Sequence, residues 1–248
     1  MLTVENRSSH HDGRNLVSSL SRSDRNLRLC AAPQQGQRWA TLSDRKCLRS
    51  GSRLKATVAD DFPCTAEVES AIPFLRKAYG DATQGVLHVG PDSCSVVAAW
   101  RNHDSDSEAL GIEPYEVEED DGFCKGLVKK GIVRVADIKF PLPYKANSFS
   151  LVVVSDALDY LSPKYLNQTL PDLARISDNG LVVFAGLPSR HKEKGGMAVK
   201  LRSSSWWERY FIQTSLHENE AMVNKFKKAM KKASFKPTCQ IFHLKPYN

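Results

Sequence analysis

The sequence predicts an α/β fold, a mainly parallel twisted sheet flanked by helices, following a basic N-terminal tail. Three observations carry this. From residue 64 onward, short apolar runs alternate with amphipathic helical stretches. Two of the runs, Phe149-Ser-Leu-Val-Val-Val154 and Gly180-Leu-Val-Val-Phe-Ala-Gly186, have almost no polar positions, as strands covered on both faces require. The first run, Val86-Leu-His-Val89, stops at Gly90 just before a helical segment. At such a junction an open α/β sheet offers backbone N–H groups and a helix N-terminus to a ligand.

Charge divides the chain in two. Residues 1–63 hold 11 Lys/Arg against 6 Asp/Glu, and residues 64–248 hold 24 against 22, so most of the net charge of +7 belongs to the front. With nine serines, nine arginines and no apolar periodicity, 1–63 is expected to be a variable tail and 64–248 the folded domain. The tail has no signal-peptide core and no run near the ~20 residues that cross a bilayer. An organelle transit peptide would be poorer in acids.

The elements of the domain follow in order. Thr65 is placed to cap a helix whose inner face is Val68, Ile72, Leu75 and Tyr79, with Pro73 inside it and Gly80 at its end. After the strand Val86–Val89 come a helix over Ser93–His103, a strand Ala109–Glu113, an acidic stretch Glu116–Asp121 and a short helix through Lys130. Ile132–Ile138 reads as a strand, and Phe140-Pro-Leu-Pro-Tyr144 as a stiff extended loop. Pro163–Ile176 turns Leu166, Leu170, Leu173 and Ile176 inward as a helix. Pro188–Gly196 is a charged loop, Ser203–Ile212 an aromatic helix, Glu218–Ala233 a helix with a lysine face, and Cys239–Leu244 the closing strand.

Six cysteines lack C-x-x-C spacing, which argues against zinc. They read as buried or free thiols, with disulfides expected only in an oxidising lumen. The sequons at Asn6 and Asn167 are of a kind that arises by chance.

The candidate site lies along the carboxyl edge of the sheet. One glycine where a dinucleotide fingerprint has three argues against a pyrophosphate pressed on the backbone, and an ordinary strand-to-loop turn remains the alternative. A ligand with adenosine and no phosphate, S-adenosylmethionine, suits the depleted turn. His88, Gly90, Pro91 and Asp92 would form the turn beneath it. Glu113, 23 residues after Gly90, would hold its ribose. Asp137 and the backbone near Ile138 would read its adenine. Ser155 and Asp156, after the fourth strand, would face its methionine end, with Asp159 and Tyr160 near the acceptor; a loop cap is the alternative for either aspartate. A carboxylate acceptor calls for cationic and aromatic neighbours. Lys200, Arg202, Trp206, Trp207, Arg209 and His191 are the candidates, against core packing for the Trp pair. The catalytic set is Asp159, Tyr160, Arg202 and Trp206. The lysine face of Glu218–Ala233 is either solvated or a strip for a polyanion. No metal is expected.

Several long segments resemble the plant cotton-Golgi-related proteins: Ala71-Ile-Pro-Phe-Leu-Arg-Lys-Ala-Tyr-Gly80, the Val86–Val97 turn region, Gly131–Tyr144, Val154–Tyr165 and Arg202-Ser-Ser-Ser-Trp-Trp207. The resemblance implies a class I methyltransferase-like (Rossmann-like) domain that uses S-adenosylmethionine to methylesterify homogalacturonan pectin in the Golgi lumen. It also implies an acidic polysaccharide acceptor and other pectin-synthesis proteins as partners, and no nucleic acid. Proteins of that family are type II membrane proteins, and the first ~60 residues here depart from them in lacking an apolar run of spanning length. A non-catalytic subunit supporting another methyltransferase is the alternative function. A methyltransferase acting on small molecules or nucleic acid ranks lower. A pectin-cleaving esterase ranks last, because no G-x-S-x-G nucleophile turn is present.

Overall fold

The structure, a computed structural model, describes residues 62–103, 107–118, 121–188 and 199–246. The predictions for the tail, the Asn6 sequon, Cys30, Cys47 and most of the Pro188–Gly196 loop, including His191, fall outside the described residues.

Seven strands form one sheet in the order β3-β2-β1-β4-β5-β7-β6. They are β1 (Gly85–Val89), β2 (Glu108–Glu113), β3 (Val133–Val135), β4 (Leu151–Ser155), β5 (Leu181–Ala185), β6 (Leu216–Glu218) and β7 (Gln240–Pro246). The first five pair in parallel, and β7 runs antiparallel between β5 and β6. The strand at Leu216–Glu218 was not predicted; at three residues it is too short to show a period. Conversely, the strand expected over Ile132–Ile138 is limited to Val133–Val135. Its neighbour β2 stops at Glu113, so once Ala136 N–H has bonded the Glu113 carbonyl the chain has nothing left to pair with.

Among the described residues six helices cover the sheet: α1 (Pro63–Tyr79), α2 (Ser93–His103), α3 (Gly122–Lys129), α4 (Pro163–Ile176), α5 (Ser204–Gln213) and α6 (Glu220–Lys232). Side chains on the strands alternate between two buried layers, as a pleat demands. Leu151, Val153, Val182 and Phe184 face α1, α2 and α6. Val152, Val154, Leu181 and Val183 face α4 and α5. Helix α1 begins at Pro63, which fits a first helical position because its missing N–H would have no partner there. Phe62 is its N-cap and makes no side-chain capping bond. Thr65, predicted as the cap, is instead inside the first turn and directed at the sheet.

Two disulfides join the described elements. Cys64–Cys239 ties the first turn of α1 to the entry of β7, and Cys94–Cys124 ties α2 to α3. These four cysteines are therefore not free thiols. Beside the first bridge, the buried carboxylate of Glu67 accepts hydrogen bonds from Thr238 N–H and hydroxyl and from Cys239 N–H at 3.1 Å. The bridge spans 175 residues of sequence, which by the loop-entropy argument places it near the upper end of disulfide stabilisation, about 5 kcal/mol. Replacing Cys64 and Cys239 together by serine is expected to cost about 2–5 kcal/mol in urea unfolding. An unchanged unfolding midpoint would show that the bridge does not constrain the fold.

Candidate functional site

The strand order reverses between β1 and β4, and open α/β sheets hold ligands in the crevice at that switch point. Gly90 ends β1 there, against Ser155 at the end of β4. A Cβ at position 90 would lie 2.5 Å from the Ser155 carbonyl oxygen and 2.6 Å from its Oγ. Close strand packing is therefore enough to demand this glycine. Pro91 is buried, and Asp92 follows with φ 53°, in the left-handed region. Asp92 stands two residues after Gly90, at the position of the second glycine of the dinucleotide fingerprint, and brings a side chain to a place where that glycine lets the backbone approach a pyrophosphate. Its Oδ1 accepts from Ser95 Oγ at 2.7 Å, in the first turn of α2.

Glu113 meets this turn directly: Ser93 N–H donates to its carboxylate at 3.0 Å. Burial pushes its pKa up to about 8 in spite of that bond, and the nearby charge of Asp92 adds to the rise.

A buried polar chain joins four elements beneath the rim. Ser93 Oγ bonds His88 Nδ1 at 2.8 Å, His88 Nε2 bonds Ser155 Oγ at 3.0 Å, and Ser155 Oγ bonds Thr65 Oγ1 at 2.7 Å. Thr65 donates to Asp156 Oδ2 from its N–H at 2.7 Å and from its hydroxyl at 3.0 Å. Burial pulls His88 down to about 3, so its ring is neutral, with one nitrogen donating and the other accepting in the chain. Asp156 has φ 52° and opens the 3-10 turn Ala157–Tyr160. Burial raises it to about 6 against the opposing bonds from Thr65.

Asp159, in the same turn, accepts from Gly186 N–H at 2.8 Å through Oδ2. Its Oδ1 is buried with no hydrogen-bond partner. Burial lifts it to about 7, the Asp156 charge adds to this, and Arg202 opposes it. Three aromatic rings stand beside these acids. Phe62, Tyr115 and Tyr160 contact one another with centroids 5.9, 6.0 and 6.2 Å apart. Tyr115 is raised to about 12 by burial and by the charges of Glu113 and Asp156, so it neighbours both.

The structure therefore brings Gly90, Pro91, Asp92, Glu113, Ser155, Asp156, Asp159 and Tyr160 to one rim, with His88 beneath. It adds Phe62, Thr65 and Tyr115, which sequence reasoning missed. Tyr115, two residues beyond the acidic end of β2, carried the only signal for them. The other candidates have partners within the chain. Asp137 is exposed in a turn, bonded to Lys139 Nζ at 3.1 Å and to its N–H at 3.0 Å. Ile138 is buried, and its carbonyl accepts from Thr169 Oγ1 at 2.8 Å. Arg202 is buried and donates to the carbonyls of Leu158 at 3.3 Å and Leu161 at 2.6 Å. Its guanidinium lies over Trp206 at 4.7 Å and Trp207 at 5.3 Å. Trp206 in turn stacks on Tyr210, at 4.7 Å. This cluster braces the turn that carries Asp159 and Tyr160, and the fork of Arg202 is already occupied. Lys200 is exposed and donates its backbone N–H to Asp159 O at 2.8 Å. Arg209 is exposed on α5.

No protein-family model matches the chain. Two Arabidopsis thaliana proteins, named probable pectin methylesterase CGR2 and CGR3, are each 58% identical to it over 195 residues, which is 76% of this chain and 74% and 75% of theirs. Among solved structures, Streptomyces venezuelae DesVI matches 82% of this chain and 99% of its own, with a TM-score of 0.51 at 13% identity. A chain of the Haloferax volcanii Trm112 methyltransferase activator complex matches 77% and 93%, with a TM-score of 0.52 at 14% identity. The fold is that of the class I methyltransferases.

The raised carboxyl groups have a consequence for stability. Between the ordinary carboxylate range and about 8 the folded state binds more protons than the unfolded one, so their contribution is full in acid and lost as pH rises through the folded values. His88 and His243, both lowered, act oppositely but only below about 6.5. The melting temperature of the unliganded protein is therefore expected to fall between about pH 6.5 and 8.5. Glu113→Gln should flatten that fall. A melting temperature that rises across this window would contradict the assignment.

Proposed function

Because the chain belongs to the family of the Arabidopsis thaliana proteins named probable pectin methylesterase CGR2 and CGR3, we propose that it transfers methyl groups from S-adenosylmethionine to galacturonate carboxylates of homogalacturonan, forming the methyl esters of pectin. The observation that carries this is the acidic, aromatic-walled rim at the switch point of a methyltransferase fold.

That rim suits a cationic ligand that carries adenosine. Burial raises Glu113 to about 8, Asp159 to about 7 and Asp156 to about 6, so near neutrality Glu113 and part of Asp159 hold their protons, and a cation beside them would draw them into their charged forms. The orphaned Oδ1 of Asp159 offers a desolvated acceptor. Glu113 stands where a ribose would be held, and the Asp92 side chain disfavours a ligand with a diphosphate. Held by Glu113 and Asp156, S-adenosylmethionine would supply an electrophilic methyl carbon on a sulfonium, to which a carboxylate oxygen would form the new C–O bond while the C–S bond broke with its electron pair left on sulfur.

A carboxylate acceptor is already a nucleophile, so the chain needs no strong base. Its residues have to align the acceptor and exclude water. Phe62, Tyr115 and Tyr160 serve the second purpose, and Tyr160 with Asp159 lies where the acceptor enters. The reverse chemistry, hydrolysis of an ester, would require an exposed nucleophile. The Ser155–His88 pair resembles one by contact. Both residues are fully buried, however, and His88 at about 3 is too weak a base to activate a hydroxyl near neutrality.

We place this activity in the Golgi lumen, alongside other proteins of pectin synthesis. The two disulfides support an oxidising compartment. Among the described residues no helix is long and apolar enough to cross a membrane. A second reading, a non-catalytic subunit that supports another methyltransferase, is favoured by Asp92 standing where a fingerprint glycine would be.

Calorimetric titration with S-adenosylmethionine, combined with transfer of labelled methyl groups to demethylated pectin, separates the two readings. The proposed enzyme binds and transfers, and Asp156→Asn weakens binding by about tenfold or more, the scale of one charge-assisted hydrogen bond. Binding without transfer by the purified protein would favour the subunit. No binding by folded protein would remove the enzymatic reading.

A further inference from the structure

Helix α6 is amphipathic in an unusual way. Val223, Phe226 and Ala229 are buried, and α6 packs along α1. Its outward face carries Lys225, Lys227, Lys228, Lys231 and Lys232, all exposed. None of the five is in an ion pair among the described residues. From 221 to 246 the chain has seven lysines and no aspartate or glutamate.

The helix macrodipole accounts for Lys231 and Lys232 in the last turn. It does not account for Lys225, Lys227 and Lys228. The pairs 225/228, 227/231, 228/231 and 228/232 stand three or four residues apart, where like charges repel. A helix with no acid to relieve this repulsion is complementary to a polyanion laid along it.

The rim, by contrast, gathers Asp92, Glu113, Asp156 and Asp159, and Arg202, which braces the turn carrying Asp159, is committed to two carbonyls. Four acids give a polyuronate little electrostatic grip, so a long chain needs a cationic surface besides the rim. Resting on the acceptor named above, we propose that the lysine face of α6 is the docking strip for the polygalacturonate chain, holding carboxylates of residues remote from the one being esterified. Lys225, Lys228 and Lys232 form a row of roughly 10 Å along the helix axis, long enough to engage more than one sugar unit. The segment 233–239 runs from the end of α6 to the Cys64–Cys239 bridge, at the same turn of α1 that places Thr65 on Asp156. The strip and the rim are thus joined through α1.

The chemistry favours a polyuronate over other polyanions. All five cations are lysines, compact point charges that attract any polyanion, so the choice among polyanions rests on what else the strip carries. The large exposed apolar side chains, Phe123, Val135, Phe140 and Ile212, are not on α6, so the strip has no ring for stacking bases and no apolar group for entering a bilayer.

The test uses the full chain and immobilised polygalacturonate across a salt series, with the triple variants K225E/K228E/K232E, the same positions to Gln, and the same positions to Arg. The expected result is an affinity loss of about tenfold or more for the Glu variant, with a shallower salt dependence. The Gln variant should be intermediate and the Arg variant close to the parent. KM for long polygalacturonate should rise with kcat unchanged, while KM for a digalacturonate stays the same. Cofactor affinity should be unaltered throughout, which keeps this test separate from that of the enzymatic reading. A parent that binds polygalacturonate through the strip but not S-adenosylmethionine would overturn the enzyme and keep the strip. A Glu variant that binds like the parent would overturn the strip. So would a parent that binds fully methylesterified pectin equally well, or that prefers phosphatidylserine vesicles or single-stranded DNA.

Discussion

At their carboxyl ends β1 and β4 come so close that position 90 has room for a hydrogen and nothing larger. This approach puts Ser155 within reach of His88, and through it couples the first turn of α2 to the first turn of α1. Every member of the resulting chain, from Ser93 to Asp156, is buried. Buried polar groups are costly when unpaired, so such a network tends to be complete or absent. The geometry of the rim follows from it: moving Ser155 would release Thr65 from its partner, Thr65 would release Asp156, and the 3-10 turn with Asp159 and Tyr160 would lose its anchor.

Stability and function pull against each other at this rim. Three carboxyl groups sit where burial opposes their ionisation, and one oxygen of Asp159 has no hydrogen-bond partner among the described residues. A fold selected for stability alone has no use for that arrangement. The elements around it compensate. Cys64–Cys239 and the Glu67 carboxylate lock α1 to β7, while the Arg202–Trp206–Trp207 stack holds the turn from the other side. Much of what conferred specificity on the sequence reading, including the Arg-Ser-Ser-Ser-Trp-Trp segment, belongs to this bracing.

The fold was legible because periodicity reports burial. Helices α2 and α4 begin and end where their apolar spacing places them, and β4 and β5 were recognisable as strands buried on both faces. What failed was decided by partners distant in sequence. The length of β3 depends on where β2 ends, and Thr65 left its capping role because Asp156, 91 positions away, takes its N–H. Cysteine pairing across 175 residues has no local signature. At the site, acids at strand ends could be read from the sequence, since strand direction fixes which end they occupy. Asp137 and Arg202 could not be placed, because a residue type does not reveal whether its partner is a ligand, a neighbouring lysine or a carbonyl of its own chain.

If the rim takes a cationic ligand, its buried carboxyl groups give up protons as that ligand enters. Proton exchange can be measured directly, by titrating S-adenosylmethionine near pH 7 in buffers of different ionisation enthalpy. Net proton release is expected on binding, larger than with the thioether product, because a positive sulfonium lowers the values that burial has raised. Binding with no proton exchange, or with proton uptake, would contradict it.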